Sequence, residues 1–459
     1  MRLPRPKRPG AHVLGGDHTR VTRVTLAVTA FAVLTSLAGS ARSAGVTSVP
    51  ALVSSGTLAE LVRLDPLTLQ PLPGFRRVAV GLHDIPWAVS PDGSEIAIGS
   101  GRTGSLVFVS LEEMRLRGRL RTGFTTALAW PTAERLLLLE YEHNEARVVV
   151  IDARTHGVLS RRGIGRGLTA VAGARTKDGL AFLLAPRSRI GTARLLVLEA
   201  SGRTRRTALA GILAGWARQS RKDGAARIRY RNPGLAVAAE GGRAYVISAG
   251  ARVAEVDLGT LAVAYHEIRS ASAYVSGVRS PASAVRASDG GNVLATGTQR
   301  QAHWLGGGLV AISGSNARVL RDPSGKLVQT DEPAGLTLLD TRTWTFRPVA
   351  TGIRWFHATP ELVLASVEPA RRPGTALAAF ALDGASRFRL DLSTIWFGIQ
   401  SSGDFAYLGL QQEYRSHPAT VVDLRTGQVA GTPRAPGWVL LVSPTQPQFC
   451  WCDTGTTVG

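Results

Sequence analysis

The chain has 459 residues, 44% of them hydrophobic, which is enough apolar material for a substantial core and excludes wholesale disorder. Its formal charge is +21, yet only four of the 54 basic residues are lysine (Lys7, Lys177, Lys222 and Lys326). The arginines are scattered rather than striped, apart from short clusters at Arg203, Arg205, Arg206 and at Arg227, Arg229, Arg231. That distribution argues against nucleic acid as a partner and leaves only a non-specific attraction to acidic polymers or anionic surfaces.

Residues 1–41 read as a signal peptide. A basic stretch from Arg2 to Arg23 precedes the apolar run Val24 to Ala38, and Gly39 and Ala41 satisfy the small-x-small rule for signal peptidase. The apolar run is about 15 residues, short of the roughly 20 that span a bilayer. An uncleaved signal anchor is the alternative, and either reading places the remainder outside the cytoplasm. Without the leader the charge is +16. No other stretch approaches membrane-spanning length. Residues 42–50 read as a short linker and 51–459 as one domain, with insertions near 209–233, 269–300 and 314–335.

The domain is repetitive. An apolar residue, an acid, two variable residues and a small polar one recur from Leu64-Asp65 through Leu111-Glu112, Ile151-Asp152, Leu198-Glu199, Val256-Asp257, Leu339-Asp340 and Leu382-Asp383 to Val422-Asp423. The acids are 47, 40, 47, 58, 83, 43 and 40 residues apart, which outside two longer gaps is the period of a propeller blade. A β-branched run precedes each acid, the acid caps a tight turn, and a second alternating run follows, which makes a hairpin. Upstream lies another strand pair, as in WAVSPDGSEIAIGS from Trp87, where Pro91-Asp92-Gly93 marks the turn. Helical periodicity is scarce; Ala208 to Arg218 is its best candidate.

These elements predict an all-β fold, a single closed β-propeller of four-stranded blades. Pairing C-terminal inner strands (Trp438 to Val442, Gln448 to Trp451) with N-terminal outer ones closes the ring and removes open edges. The count is eight blades, with seven the alternative. SPDGSEIAIGSG (Ser90 to Gly101) and EGGRAYVISAGARVAEVDLGTLAV (Glu240 to Val263) resemble the WD40/YVTN-type repeat superfamily. Stretches such as VAEVDLGTLAVAYH (Val253 to His266) also resemble exported propeller proteins of actinobacteria. The resemblance covers nearly everything after Ala51 and implies fold more than function, because propellers host many unrelated activities. The WD dipeptide is missing from the repeats.

In a propeller, the loops leading into the innermost strands share a face with those joining the second and third strands. Here those are the unequal loops, so binding residues are expected there. The ligand-face candidates are His83, Asp84, Trp87, Glu142, His143, Arg189, Trp355, His357, Arg371, Arg372, Trp396, Tyr414 and His417. His83, His143, His357 and His417 could converge as metal ligands or bases, but no two have HxH or HxxxH spacing; the bland reading is four exposed loop residues. Gly99 to Gly104 fits GxGxxG, but a strand follows it rather than a phosphate-facing helix. P-loop, GxSxG and HExxH motifs are absent. Cys450 and Cys452 would point to one side of a strand, about 6.6 Å apart by strand rise, at the upper limit for a disulfide.

The expectation is therefore an exported, monomeric, non-catalytic binding or scaffold propeller without a cofactor or metal. Its ligand would be a protein, a glycan or a cell-envelope polymer. The alternative is a propeller enzyme (lactonase, lyase or quinoprotein-like oxidoreductase) with its site at the central channel. Cleavage after Ala41 predicts that N-terminal sequencing of the mature protein reads Arg42-Ser43-Ala44; a chain that retains the leader after export would favour the signal anchor.

Overall fold

A computed structural model describes residues 48–54, 58–81, 86–100, 104–142, 145–220, 226–238, 240–248, 252–268, 293–321, 323, 327–367, 375–392, 398–410 and 417–442. The leader, Cys450 and Cys452 lie outside them. Among the described residues every regular element is a strand, and no helix is long and apolar enough to cross a membrane. The helical candidate Ala208 to Arg218 is part of the strand Thr204–Ser220. Burial there alternates with a period of two, with Leu209, Ile212 and Ala214 inside. The extra residue is taken up at Gly211, whose φ of 76° no right-handed helix contains.

The fold is an all-β propeller. Six four-stranded blades stand as separate sheets, formed by residues 87–121, 124–163, 234–267, 353–392, 399–431, and 49–81 with 438–441. Six blades, not the expected eight or seven, is the count. Apart from a two-stranded pair, His417–Pro418 with Arg434–Ala435, the remaining strands merge into one ten-stranded sheet that starts at Leu168–Thr176 and ends at Thr345–Ala350. The insertions cause the merger. Thr204–Ser220 runs for 17 residues, outlasts its blade and pairs with Ala226–Asn232, which pairs in parallel with the 14-residue strand Val293–Gly306. The 314–335 insertion adds a further strand, Leu327–Pro333, beside Leu309–Arg321.

The blade that joins the chain ends also differs from expectation. Trp438–Leu441 pairs antiparallel with Val49–Ser54, from Ala51 opposite Leu441 to Ser54 opposite Trp438. One C-terminal strand meets three N-terminal ones, because Val49–Ser54, beginning inside the expected linker, supplies an inner partner for the Asp65 hairpin. Gln448 to Trp451 lie outside the described residues.

The acid turns carry the expected chemistry. Asp65 Oδ1 accepts from the Leu67 and Thr68 amides (3.0 and 2.7 Å) and the Thr68 hydroxyl. Asp152 and Asp257 repeat the threonine bonds, and those amide bonds hold both carboxyls below the usual carboxylate range. In the 87–121 blade the capping residue is Ser110, whose Oγ accepts from the Glu113 amide at 3.2 Å, so the motif sits two residues before Glu112. In five of these turns the backbone four residues after the capping position is left-handed: Leu69, Met114, His156, Leu261 and Trp344 all have φ between 49° and 62°.

Those left-handed residues lean onto the neighbouring blade. Leu69 packs with Tyr407 and Val421, Met114 with Leu61 and Val80, and Leu261 against Leu195 and its neighbours. His156 stacks on Phe108 with centroids 3.8 Å apart, and Trp344 stacks on His266 at 3.3 Å. Arginines reach back the other way. Arg63 donates to the Leu111 carbonyl (2.6 Å), Arg205 to those of Leu258 and Gly259 (2.6 and 2.5 Å), and Arg347 to that of Asp383. In each case the acceptor lies in the next blade's turn, so part of the basic excess serves the fold. Removing a turn cap should show this. Asp257→Ala leaves the Thr260 amide and hydroxyl without their acceptor and is expected to cost about 1–2 kcal/mol, read as a lower urea midpoint at unchanged slope; a midpoint equal to wild type would rule the cap unimportant.

Candidate functional site

The strands that outlast their blades form one continuous stretch of the ten-stranded sheet, in the order 204–220, 226–232, 293–306, 309–321, 327–333. Strand register decides which side chains share a face. Arg229 lies opposite Thr296, Arg231 opposite Thr298, Thr298 opposite Asn316, Asn316 opposite Glu332, and Arg318 opposite Thr330. With Arg300 two residues after Thr298, one face is therefore arginine, threonine and asparagine with a single carboxylate. The contacts agree. Arg231 Nη1 donates to Thr298 Oγ1 at 3.1 Å, and Arg300, almost fully buried, donates to Asn316 Oδ1 at 2.8 Å and to the Ser315 carbonyl at 3.0 Å.

The other face carries Tyr230, Gly297, Ala317 and Asp331 in one row. Arg354 clamps Asp331 through its carboxylate at 2.5 Å and its carbonyl at 2.7 Å. Burial, with Asp331 adding to it, pushes the Tyr230 hydroxyl up to about 12, so it stays protonated. Gly297 is needed beneath that ring: a Cβ there would lie 2.8 Å from Tyr230 Cγ and 2.2 Å from the Tyr230 carbonyl oxygen.

The arginine face forms the floor of a cleft of about 700 Å³, walled by Ser248, Arg252 and Glu267 of the 234–267 blade and by Ile190 and Leu213. Five arginines and one glutamate line it. That glutamate, Glu267, is engaged by Arg252 Nε at 2.6 Å. Among the described residues no carboxylate pairs with Arg229 or Arg231. The walls come from the blade ends where second strands join third strands, the side on which function was expected.

The individual candidates fare unevenly. Trp87 is a core side chain, 1% exposed and packed with Leu52 and Ile98, so it presents nothing to a ligand. Glu142 is tied to Arg147, Arg189 is exposed, and Trp355 is 53% exposed. His83, Asp84, His143, Arg371, Arg372, Trp396 and Tyr414 lie outside the described residues. His417 pairs with Ala435 through its backbone, its side chain undescribed. Arg252, Arg300, Asn316 and Arg318 were not singled out from sequence. The signal was an alternation: Arg-x-Arg-x-Arg from 227, Thr-x-Thr-x-Arg from 296 and Asn-x-Arg at 316.

His357 sits on Ile353–Ala358, the first strand of its blade, and its Nε2 shares a 2.8 Å hydrogen bond with Ser401 Oγ on the next blade. Burial pushes this imidazole down to about 4, and the neighbouring His303 adds to the effect. His303 is also lowered by desolvation although much of its surface is accessible. Among the described residues no three His, Cys, Asp or Glu side chains gather as metal ligands would. Other inner strands are stitched similarly. Gln301 exchanges bonds with the Phe356 backbone (2.8 and 3.1 Å), and Gln400 does so with Val439 and Leu441 (2.9 and 2.6 Å).

Because the His357 imidazole is less basic when folded, the unfolded chain takes the proton first as pH falls below about 6.5. Stability should therefore drop between pH 6.5 and about 4, with nothing further lost from this group below that. His357→Gln keeps a partner for Ser401 and should flatten the melting-temperature profile across that window; an unchanged profile would remove His357 as its source.

No protein-family model matches the chain, nor does any curated protein. Solved structures do resemble it. Dihydro-heme d1 dehydrogenase NirN, in complex with DHE, aligns with a TM-score of 0.54 and 13% identity over 86% of this chain and 74% of that one. Apo AztD from Citrobacter koseri aligns with a TM-score of 0.50 and 11% identity over 86% of this chain and 97% of that one. At such identities the likeness is one of fold, the β-propeller.

Proposed function

We propose that this chain is an exported propeller that binds rather than catalyses, and that its ligand sits in the arginine-lined cleft. The observation that carries the reading is the convergence of separate insertions, near 209–233 and 314–335, in one stretch of the ten-stranded sheet with an open polar face. Loops on a rigid scaffold are where binding residues accumulate. The groups presented are guanidinium, hydroxyl and amide: good donors for recognition, but neither nucleophiles nor bases at neutral pH. The WD40/YVTN-type resemblance of the repeats fits a binding scaffold, and the leader supports a place outside the cytoplasm.

A second reading has one specific observation in its favour. His303 and His357 both lie on inner strands, where a propeller enzyme would keep its site, and the charge of one disfavours that of the other. The NirN structure resembled here is a dehydrogenase with a bound ligand. Elemental mass spectrometry on the dialysed chain from Arg42 separates the two. Less than one-tenth equivalent of any metal in a folded protein is the expected result. One equivalent, lost on changing both histidines to alanine, would move function to the channel and overturn the binding reading.

A further inference from the structure

We propose that the cleft selects a small polyanion, a molecule carrying at least two phosphate or carboxylate groups, held between the Arg229–Arg231 row and the Arg300–Arg318 row. The proposal rests on the binding reading above and names the chemistry of its ligand. Three features of the floor lead to it.

The first is the arrangement of charge. Arg229 and Arg231 project from one strand two residues apart, and Arg318 projects from a strand two positions across the sheet. By strand geometry these separations are roughly 7 Å along the strand and about 10 Å across it. A single oxyanion spans one such interval; two linked oxyanions span both. Guanidinium groups suit this task because each presents paired donors to two oxygens of a carboxylate or phosphate.

The second is how the arginines are held. Thr298 positions Arg231, and Asn316 with two carbonyls positions Arg300. A neutral partner such as Thr298 orients a guanidinium without cancelling its charge, whereas Arg318 lies 3.6 Å from the Glu332 carboxylate, and elsewhere in the chain Arg205 and Arg243 are paired with glutamates. Within the lining the one carboxylate, Glu267, is already engaged by Arg252 on the wall. With Glu332 set against Arg318, the excess positive charge on the floor is that of Arg229 and Arg231 with Arg300, in a concave site that sharpens its field.

The third is size and the lack of a stacking surface. About 700 Å³ is the volume of a small-molecule site. Tyr230 is the one aromatic residue in the lining, and its ring lies on the far side of the sheet beside Gly297 and Asp331. Among the described lining residues no aromatic ring faces the arginine side as a platform for a nucleobase, so the affinity would reside chiefly in the anionic groups.

The test is calorimetric titration of the full mature chain at low salt with pyrophosphate and with citrate, and with inorganic phosphate and acetate as single-anion references. Expected is saturable one-to-one binding of pyrophosphate or citrate at least tenfold tighter than its reference; which of the two binds tells phosphate from carboxylate recognition. Arg229→Ala/Arg231→Ala should weaken it at least tenfold. Arg115→Ala/Arg119→Ala, on the exposed strand Arg115–Arg121, removes the same charge elsewhere and should bind like wild type. Thr298→Val, which frees Arg231 without changing charge, should weaken binding severalfold and serves if the double variant unfolds. Equal losses in both double variants, or no saturable binding of either probe by a folded chain, would overturn the proposal. A metal-free chain that fails here would lose only the polyanion assignment, since the metal analysis tests the binding reading separately.

Discussion

Neighbouring blades of a propeller share no backbone ladder, so the structure depends on what crosses the gaps between them. In this chain the crossing contact at the outer hairpins runs in both directions. In five of the turns a left-handed non-glycine residue sends its side chain onto the preceding blade. An arginine of that blade donates to carbonyls of the turn it meets, as Arg205 does to Leu258 and Gly259. A non-glycine residue at φ near 55° carries a conformational penalty, and the apolar or stacking contact offsets it. Glycine replaces it at Gly427, where the side chain contact is absent and a Cβ would press against Phe388 at 2.5 Å.

At the inner strands the same gap is bridged by side chains that imitate backbone. Gln301 and Gln400 each give a donor and an acceptor to the adjoining strand, as a peptide group would, and Tyr141 bonds the Ala170 amide at 3.0 Å. Apolar clusters fill the space between inner and outer contacts, each drawing residues from two successive blades. Rigidity in the scaffold follows from this spacing of polar bonds at both edges with packing between, and it is what holds the cleft residues in register.

What the residue string made legible follows from how local the physics is. The acid turns could be read because Asp-x-x-Thr closes within five residues. The blade of residues 87–121 misled because Glu112 and Glu113 draw attention from Ser110, which makes the bond. The left-handed positions were hidden, since Trp344 and Leu261 carry none of the glycine signal that normally marks them. Arg227, Arg229 and Arg231 stood out as a cluster, but their partners did not. Arg231 meets Thr298 across 67 residues through a parallel pairing that no turn announces. The count of eight blades failed for the same reason: a strand that outlasts its blade looks like an insertion until its partner is known.

Repeat folds gain stability chiefly from contacts between adjacent units, so each unit answers to its two neighbours. The parallel pairing of 226–232 with 293–306 breaks that rule here. It connects by main-chain bonds the two units on either side of the 234–267 blade, which is itself made from chain lying between those strands. Losing that middle unit would require the staple around it to open as well. The segment from 168 to 350 is thereby turned from a row of independent modules into one cooperative block, and during synthesis the strand at 226–232 must wait for residue 299 before its pairing is complete.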